Sequence, residues 1–305
     1  MDATLTLRDS RNLAWHEWGV AGGTPVLRLQ GTPGSRLSRH PRLDVWERLG
    51  LRVVMTDRPG FGRSTRLPGR GVSDVADDLV ELLDHLGLDS VPVLGQSGGG
   101  PHVLGLAARH PERVRAATVV VGAAPLADAD LPHLVGLNAE AYRRIRSGGW
   151  NSLHALLAEQ RLALLADPLA GLRRAMQGAP DSDWAVMADP VWQGAFAHGV
   201  REALRAGAEG WTDESIALLT EWDFAPEEVS TPVVWWHAWH NANVPPRAVE
   251  RVTGRLPSVD LRVWDGCGHL ESFHREQDVL ADLLARAHKN CCQQLRVSMA
   301  ASSPR

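Results

Sequence analysis

Ser97 lies in Gly95-Gln96-Ser97-Gly98-Gly99, a G-x-S-x-G pattern that follows the apolar run at 91–94 and precedes Val103, Leu104 and Leu106, spaced as in a buried helix. A tight strand-to-helix turn of this kind lifts a serine hydroxyl above the edge of a sheet, and glycines remove the side chains that would collide. The chemistry implied is nucleophilic attack on an acyl carbon. The backbone N–H of Gly98 comes from the same turn and is placed to stabilise the oxyanion that forms. Pro101, near the start of the helix, removes only an N–H that would lack a partner there. Phosphate-binding alternatives fail, because no Lys-Ser/Thr pair follows and residues 95–100 do not spell G-x-G-x-x-G.

A serine hydroxyl is a weak nucleophile at neutral pH and needs a base. Among 13 histidines, His269 is the candidate, since Asp265-Gly266-Cys267-Gly268-His269 is a flexible loop after the last strand-like run, at 261–264. In an open α/β sheet the site gathers at the carboxyl ends of the strands, where Ser97 also belongs. A second oxyanion donor should come from a loop after an early strand. Gln30-Gly31-Thr32-Pro33-Gly34 follows the run at 26–29 and offers the N–H of Thr32.

The elements that must hold these groups read as an alternation. Strand-like runs at 26–29, 51–55, 91–94, 118–121, 233–236 and 261–264 are separated by helical patterns such as 73–86, where Val75, Leu79, Leu82, Leu83 and Leu86 share a face. This predicts an α/β fold with a mostly parallel, doubly wound sheet. Segments 4–8 and 12–18 read as an antiparallel hairpin at its edge. The alternation stops from 126 to 225, a helical, Ala- and Leu-rich stretch with Trp150, Trp184, Trp192, Trp211 and Trp222. An insertion of that length has structure of its own, so the expected organisation is a core at 1–125 and 226–288 with an inserted helical cap at 126–225. The tryptophans favour an apolar pocket. Residues 289–305, polar and without clear periodicity, read as a disordered tail.

Composition excludes several partners. Thirty-two basic and 36 acidic residues give a net charge of −4, with no basic face for nucleic acid or an anionic membrane. No apolar run is long enough to span a bilayer, and Met1-Asp2-Ala3-Thr4 lacks the features of a signal peptide. Cys267, Cys291 and Cys292 are not laid out as a disulfide framework. These features read as a cytoplasmic protein acting on a small molecule without a cofactor. His237 and His240, three apart beside tryptophans, lack the helical H-E-x-x-H context and read as structural, so no metal site is expected. The oligomeric state has no signature.

Taken together, Gln30 to Gly34, Asp57-Arg58-Pro59-Gly60-Phe61-Gly62-Arg63-Ser64, the Ser97 turn, Trp236-His237-Ala238 through Asn243-Val244-Pro245, and Gly266-Cys267-Gly268-His269 resemble the α/β-hydrolase fold superfamily, specifically its cap-bearing serine hydrolases. The resemblance covers about residues 10–288 and implies a hydrolase working through an acyl-enzyme. The chain departs from that pattern at one position. In a segment similar to W-H-G-x-x-D-x-x-V-P, Asn241 stands where the aspartate that orients the histidine belongs. An amide can select the histidine tautomer but cannot stabilise the imidazolium by charge. Asp128 and Asp130, after the run at 118–121, are the candidates for a replacement acid, since some members of the superfamily supply it from that strand. Asp223 is a further carboxylate to check. Gln96 and Trp239 are expected on the substrate pocket. The resulting expectation is an esterase-like hydrolase of a small to medium apolar ester, thioester or lactone, weakened at the acid position. A biosynthetic cyclase or acyl transferase using the Ser-His pair, and a ligand-binding protein with a degraded site, are the alternatives.

Overall fold

The computed structural model describes the backbone of residues 1–42 and 44–301 and the side chains up to Asn290, Leu43 apart. Eight runs form strands: β1 (Asp2–Thr6), β2 (Asn12–Gly19), β3 (Thr24–Leu29), β4 (Leu51–Thr56), β5 (Val91–Gln96), β6 (Val114–Val120), β7 (Val233–Ala238) and β8 (Val259–Trp264). They form one sheet in the order β1-β2-β4-β3-β5-β6-β7-β8. The β1–β2 and β2–β4 pairs are antiparallel and the other neighbours parallel. The expected hairpin is therefore present, with its first strand beginning at Asp2 rather than residue 4.

Ten α-helices accompany the strands among the described residues: α1 (Asp44–Arg48), α2 (Val75–His85), α3 (Gly99–Arg109), α4 (Gly136–Ala166), α5 (Pro168–Ala175), α6 (Asp181–Ala188), α7 (Pro190–Ala203), α8 (Glu209–Leu219), α9 (Pro246–Thr253) and α10 (Glu276–Ala301). Both faces of the sheet are covered. On one, Leu79, Leu82 and Leu83 of α2, Val103 and Leu104 of α3 and Val249 of α9 pack with Leu27, Leu29, Val93 and Trp235. On the other, Trp46 of α1 and Leu280 and Leu283 of α10 pack with Val26, Val53, Met55 and Leu94. Val93 and Leu94 thus point to opposite faces, and β5 is buried over its whole length, which is what a continuous apolar run means in a parallel sheet. Each fully buried leucine here contributes about 2 kcal/mol of transfer free energy.

Between β6 and β7 the chain runs through α4 to α8 without a strand. These helices have their own core, in which Leu153, Leu157, Leu204 and Trp211 pack with Phe61 from below. The long α4 is broken at Gly149, whose φ of 58° no helix continues through. The returning α8 lies so close to the core that a Cβ on Gly60 would stand 2.6 Å from the Gly210 backbone. At the other end, α10 continues to Ala301, past the expected end of ordered structure at 288, because its Ala, Leu, Gln and Arg residues are good helix formers. Residues 302–305 of the expected tail lie outside the described residues.

Parallel neighbours point the same way, so the loops that leave β3, β5, β7 and β8 gather at one edge of the sheet. Thr32, Ser97, Asn241 and His269 lie on those four loops.

Candidate active site

Ser97 follows β5 directly and has a φ of 52°, in the left-handed region that costs a side-chain-bearing residue about 1–3 kcal/mol. The glycines around it are required by space. A Cβ on Gly95 would stand 2.4 Å from the Gly99 carbonyl oxygen, and one on Gly99 2.1 Å from that of Leu29. The turn is pinned where Ser97 N donates to Val120 O at 2.9 Å and Gly100 N to Ser97 O at 2.9 Å. With its backbone fixed, the hydroxyl is held above the edge of the sheet.

Ser97 Oγ lies 3.0 Å from His269 Nε2, and His269 Nδ1 lies 3.1 Å from Asn241 Oδ1. The same Oδ1 accepts the backbone N–H groups of Asn243 and Val244, each at 3.0 Å. Backbone N–H groups can only donate, so the atom at their focus is the amide oxygen, and the imidazole must donate to it as well. Nδ1 therefore carries the proton and Nε2 turns its lone pair to Ser97. The amide thus selects the tautomer a general base needs. It does not supply charge. Burial pushes the His269 imidazole down to about 3, and the nearby His237 adds to the effect. Burial likewise pushes His237 down to about 4. With no carboxylate at 241 to offset desolvation, the imidazolium is strongly disfavoured.

The loop after β3 abuts Ser97. A Cβ on Gly31 would stand 3.3 Å from Ser97 Cβ, and one on Gly98 2.2 Å from Thr32 Oγ1. Among the described residues neither Thr32 N–H nor Gly98 N–H donates within the chain, so both are free to meet an oxyanion. A buried ionic cluster braces this loop from behind. Arg58 donates to Gln30 O at 2.6 Å, to Gly31 O at 3.1 Å and to Thr32 Oγ1 at 2.8 Å. Glu214 of α8 accepts from Arg58 Nε at 2.7 Å and from Thr32 Oγ1 at 2.9 Å, and pairs with Arg70. Burial opposes its charge, yet the Arg58 and Arg70 guanidiniums hold the Glu214 carboxyl well below the usual carboxylate range.

The serine and histidine open on a cavity of about 290 Å³ between core and helical insertion, walled mainly by apolar side chains such as Leu126, Leu157, Leu164, Val186, Met187 and Phe196. Of the five tryptophans noted in the insertion, Trp192 and Trp211 line it. Trp150 instead stacks on His154 and Trp222 on Phe224. Gln96 is on the wall, its Oε1 held by Arg28 Nη2 at 3.1 Å. Trp239 is a correction: it is 54% exposed on the outer surface and not part of the lining, because the turn after β7 carries it away from the histidine while bringing Asn241 in.

Neither replacement acid reaches His269. Asp130 pairs with Arg251 and accepts from Ala127 N at 2.8 Å, and Asp128 accepts from Tyr142 Oη at 3.0 Å. Both sit where the chain has already turned into the insertion. Asp223 accepts from Ser73 N at 3.0 Å and from Ser73 Oγ at 2.6 Å, a brace between α8's exit and α2. Among the described residues no group of three or more His, Cys, Asp or Glu is arranged to hold a metal ion. Sequence reasoning missed Glu214 and Asp183, carboxylates of the insertion that bond to the loops after β3 and β8. Nothing in a helical pattern marks a carboxylate that will be buried across a domain; only the small residues opposite, such as Gly268, hint that something must fit there.

Comparison with known proteins places this geometry in a family. The profile of the alpha/beta hydrolase fold matches residues 24–275. A non-heme chloroperoxidase of Streptomyces lividans is 28% identical over 288 residues, 92% of this chain and 98% of that protein. A non-heme haloperoxidase of Rhodococcus erythropolis is 26% identical over 92% of this chain and 97% of its own length. Among solved structures, a putative aryl esterase from Burkholderia cenocepacia superposes with a TM-score of 0.67 at 21% identity, covering 95% of this chain and all of that one (100%).

Proposed function

Because the chain belongs to the alpha/beta hydrolase family and is a hydrolase by that descent, we propose that it cleaves a small to medium apolar ester, thioester or lactone through an acyl-enzyme on Ser97. The observation that carries this reading is the relay from Ser97 Oγ to His269 Nε2 at 3.0 Å and from Nδ1 to Asn241 Oδ1 at 3.1 Å, at the mouth of an apolar cavity.

Ser97 Oγ attacks the carbonyl carbon and its proton passes to His269 Nε2. The carbonyl oxygen takes the negative charge and meets the Thr32 and Gly98 N–H groups, worth about 3 kcal/mol for one such donor. Collapse expels the alcohol or thiol, which leaves with the proton from Nε2. Water then attacks the acyl carbon as His269 takes its proton, and Ser97 is released with the acid. Asn241 holds the ring through every step but leaves the imidazolium without a counter-charge, so turnover is weakened relative to a carboxylate at that position. The aliphatic wall takes the acyl or leaving-group chain and makes no demand for charge.

Hydrolysis of a panel of p-nitrophenyl and thioester substrates, with products read by mass spectrometry, tests the assignment. The expected result is product heavier than the substrate by one water in total, lost on Ser97→Ala. Product of unchanged mass would point to cyclisation in a dry cavity, and tight binding without turnover to a ligand-binding role.

A further inference from the structure

The catalytic histidine is not held by the core alone. Asp183, on α6 of the helical insertion and 1% exposed, accepts His269 N at 2.9 Å through Oδ2, and Leu270 N at 2.7 Å and Glu271 N at 3.2 Å through Oδ1. Its neighbour Ser182 accepts Gly268 N through Oγ at 3.1 Å. Four consecutive backbone N–H groups, from 268 to 271, are thus engaged by two adjacent residues of the insertion. Burial pushes the Asp183 carboxyl above the usual carboxylate range, and the three backbone bonds offset only part of that. Gly268 has no room for a side chain, since a Cβ there would stand 2.4 to 2.6 Å from the carboxylate atoms of Asp183. The second glycine of Gly266-Cys267-Gly268-His269 is therefore explained by a group reaching across from the insertion.

The same short helix forms part of the cavity wall through Val186 and Met187, three and four residues beyond Asp183 and so on the same side of α6. A ligand that presses on this wall presses on the element that fixes the backbone of His269. We infer that Asp183 is a positioning residue that makes the placement of His269 conditional on α6 being seated, so that filling of the cavity and assembly of the Ser97–His269 pair are mechanically coupled. Asp183 has no bond to the imidazole ring; it acts through the backbone. Its effect falls on kcat more than on KM, because substrate still enters the cavity when the histidine is displaced.

This inference rests on the hydrolase reading for its kinetic arm and stands apart from it for its structural one. The variants are Asp183→Asn, Asp183→Ala, Gly268→Ala and the double Asp183→Ala/Gly268→Ala. They are compared by ester turnover, thermal melting and the ring signals of ¹⁵N-histidine-labelled protein. A displacement of the base of the order of 1 Å corresponds to about 10²-fold in rate, so Asp183→Ala is expected to lower kcat by tens of fold or more with KM changed less than about 3-fold. The His269 ring signals should broaden or double in Asp183→Asn and Asp183→Ala. Gly268→Ala should be costly alone and nearly neutral once Asp183 is alanine, a non-additivity expected only of groups in direct contact. If Asp183→Ala does not fold, Asp183→Asn and Gly268→Ala alone decide. Unchanged His269 ring signals in a folded Asp183 variant, or the same cost of Gly268→Ala in both backgrounds, would overturn the inference. Failure of the wild-type protein to turn over any ester would instead refute the hydrolase reading, while the ring signals and melting data would still judge the clamp.

Discussion

Replacing Asn241 by aspartate tests how the site works more sharply than removing any group. The oxygen at this position already receives the His269 Nδ1–H at 3.1 Å and two backbone N–H groups at 3.0 Å, so Asn241→Asp keeps the geometry and adds only charge. With charge centres about 4 Å apart and an effective dielectric near 20, attraction between carboxylate and imidazolium is about 4 kcal/mol, equivalent to about 10³ in rate. Part of this is lost, since Nδ2 is buried without a partner among the described residues and the second carboxylate oxygen would be buried there in its place. The expected gain in kcat at pH 8 is therefore about 10²-fold, against about 10⁴ for the reverse change in serine proteases. The pH profile should move with it. The base must be neutral to act, and His269 is held at about 3, so the acid limb of kcat/KM lies far below pH 6 in the wild-type protein. A carboxylate favours the charged ring and lifts that limb by about 1–3 pH units. A stopped-flow ester assay with brief pH jumps from pH 2.5 to 9 reads both effects. A folded Asn241→Asp protein with kcat within 3-fold of wild type and an unmoved acid limb would refute the reasoning.

Acid stability should follow the two buried histidines. Both folded-state values, about 4 for His237 and about 3 for His269, lie below the unfolded value of about 6.5, so the unfolded chain binds more protons in between. Stability contributed by the neutral rings is complete above pH 6.5 and is lost as pH falls from there through 4 and 3, with about 3 kcal/mol attributable to His237. Urea melts at pH 7.5 and 5.0 should show the loss, and His237→Phe, which removes a buried titratable ring, should flatten it; an equal slope in both proteins would contradict the assignment. In the cavity, each acyl methylene that leaves water is worth about 0.8 kcal/mol, so kcat/KM should climb about 4-fold per carbon along a series of p-nitrophenyl esters until the space is filled. Leu137→Phe, on the cavity wall, should bring that plateau to a shorter chain, and an unchanged chain-length profile would show that the acyl group lies elsewhere.

The parts of the fold legible in the sequence are those written in local pattern. The run at 91–94 and the glycines about Ser97 announce a strand, a turn and a helix, because a Cβ at 95 or 99 would collide with backbone. His269 could be located because it follows the last strand at the sheet edge where Ser97 also lies, whereas the place of Asn241 beside Nδ1 came from the resemblance of its segment to the family's acid-bearing one and not from pattern or topology alone. What stayed hidden is contact across layers. Asp183 and Glu214 lie in helices whose patterns look unexceptional, and their role depends on how the insertion is seated on the core. Trp239 misled for the converse reason: proximity in sequence to Asn241 does not fix which way a side chain leaves a turn.

The most direct test of the central claim is intact-mass and peptide mapping after treatment with a fluorophosphonate at pH 8. The account predicts one stoichiometric adduct, on Ser97, forming faster in Asn241→Asp and lost in Ser97→Ala, with His269→Ala slowing it by orders of magnitude. Labelling at another residue, or an adduct on Ser97 whose rate ignores His269, would contradict the claim that these two groups act as one nucleophile.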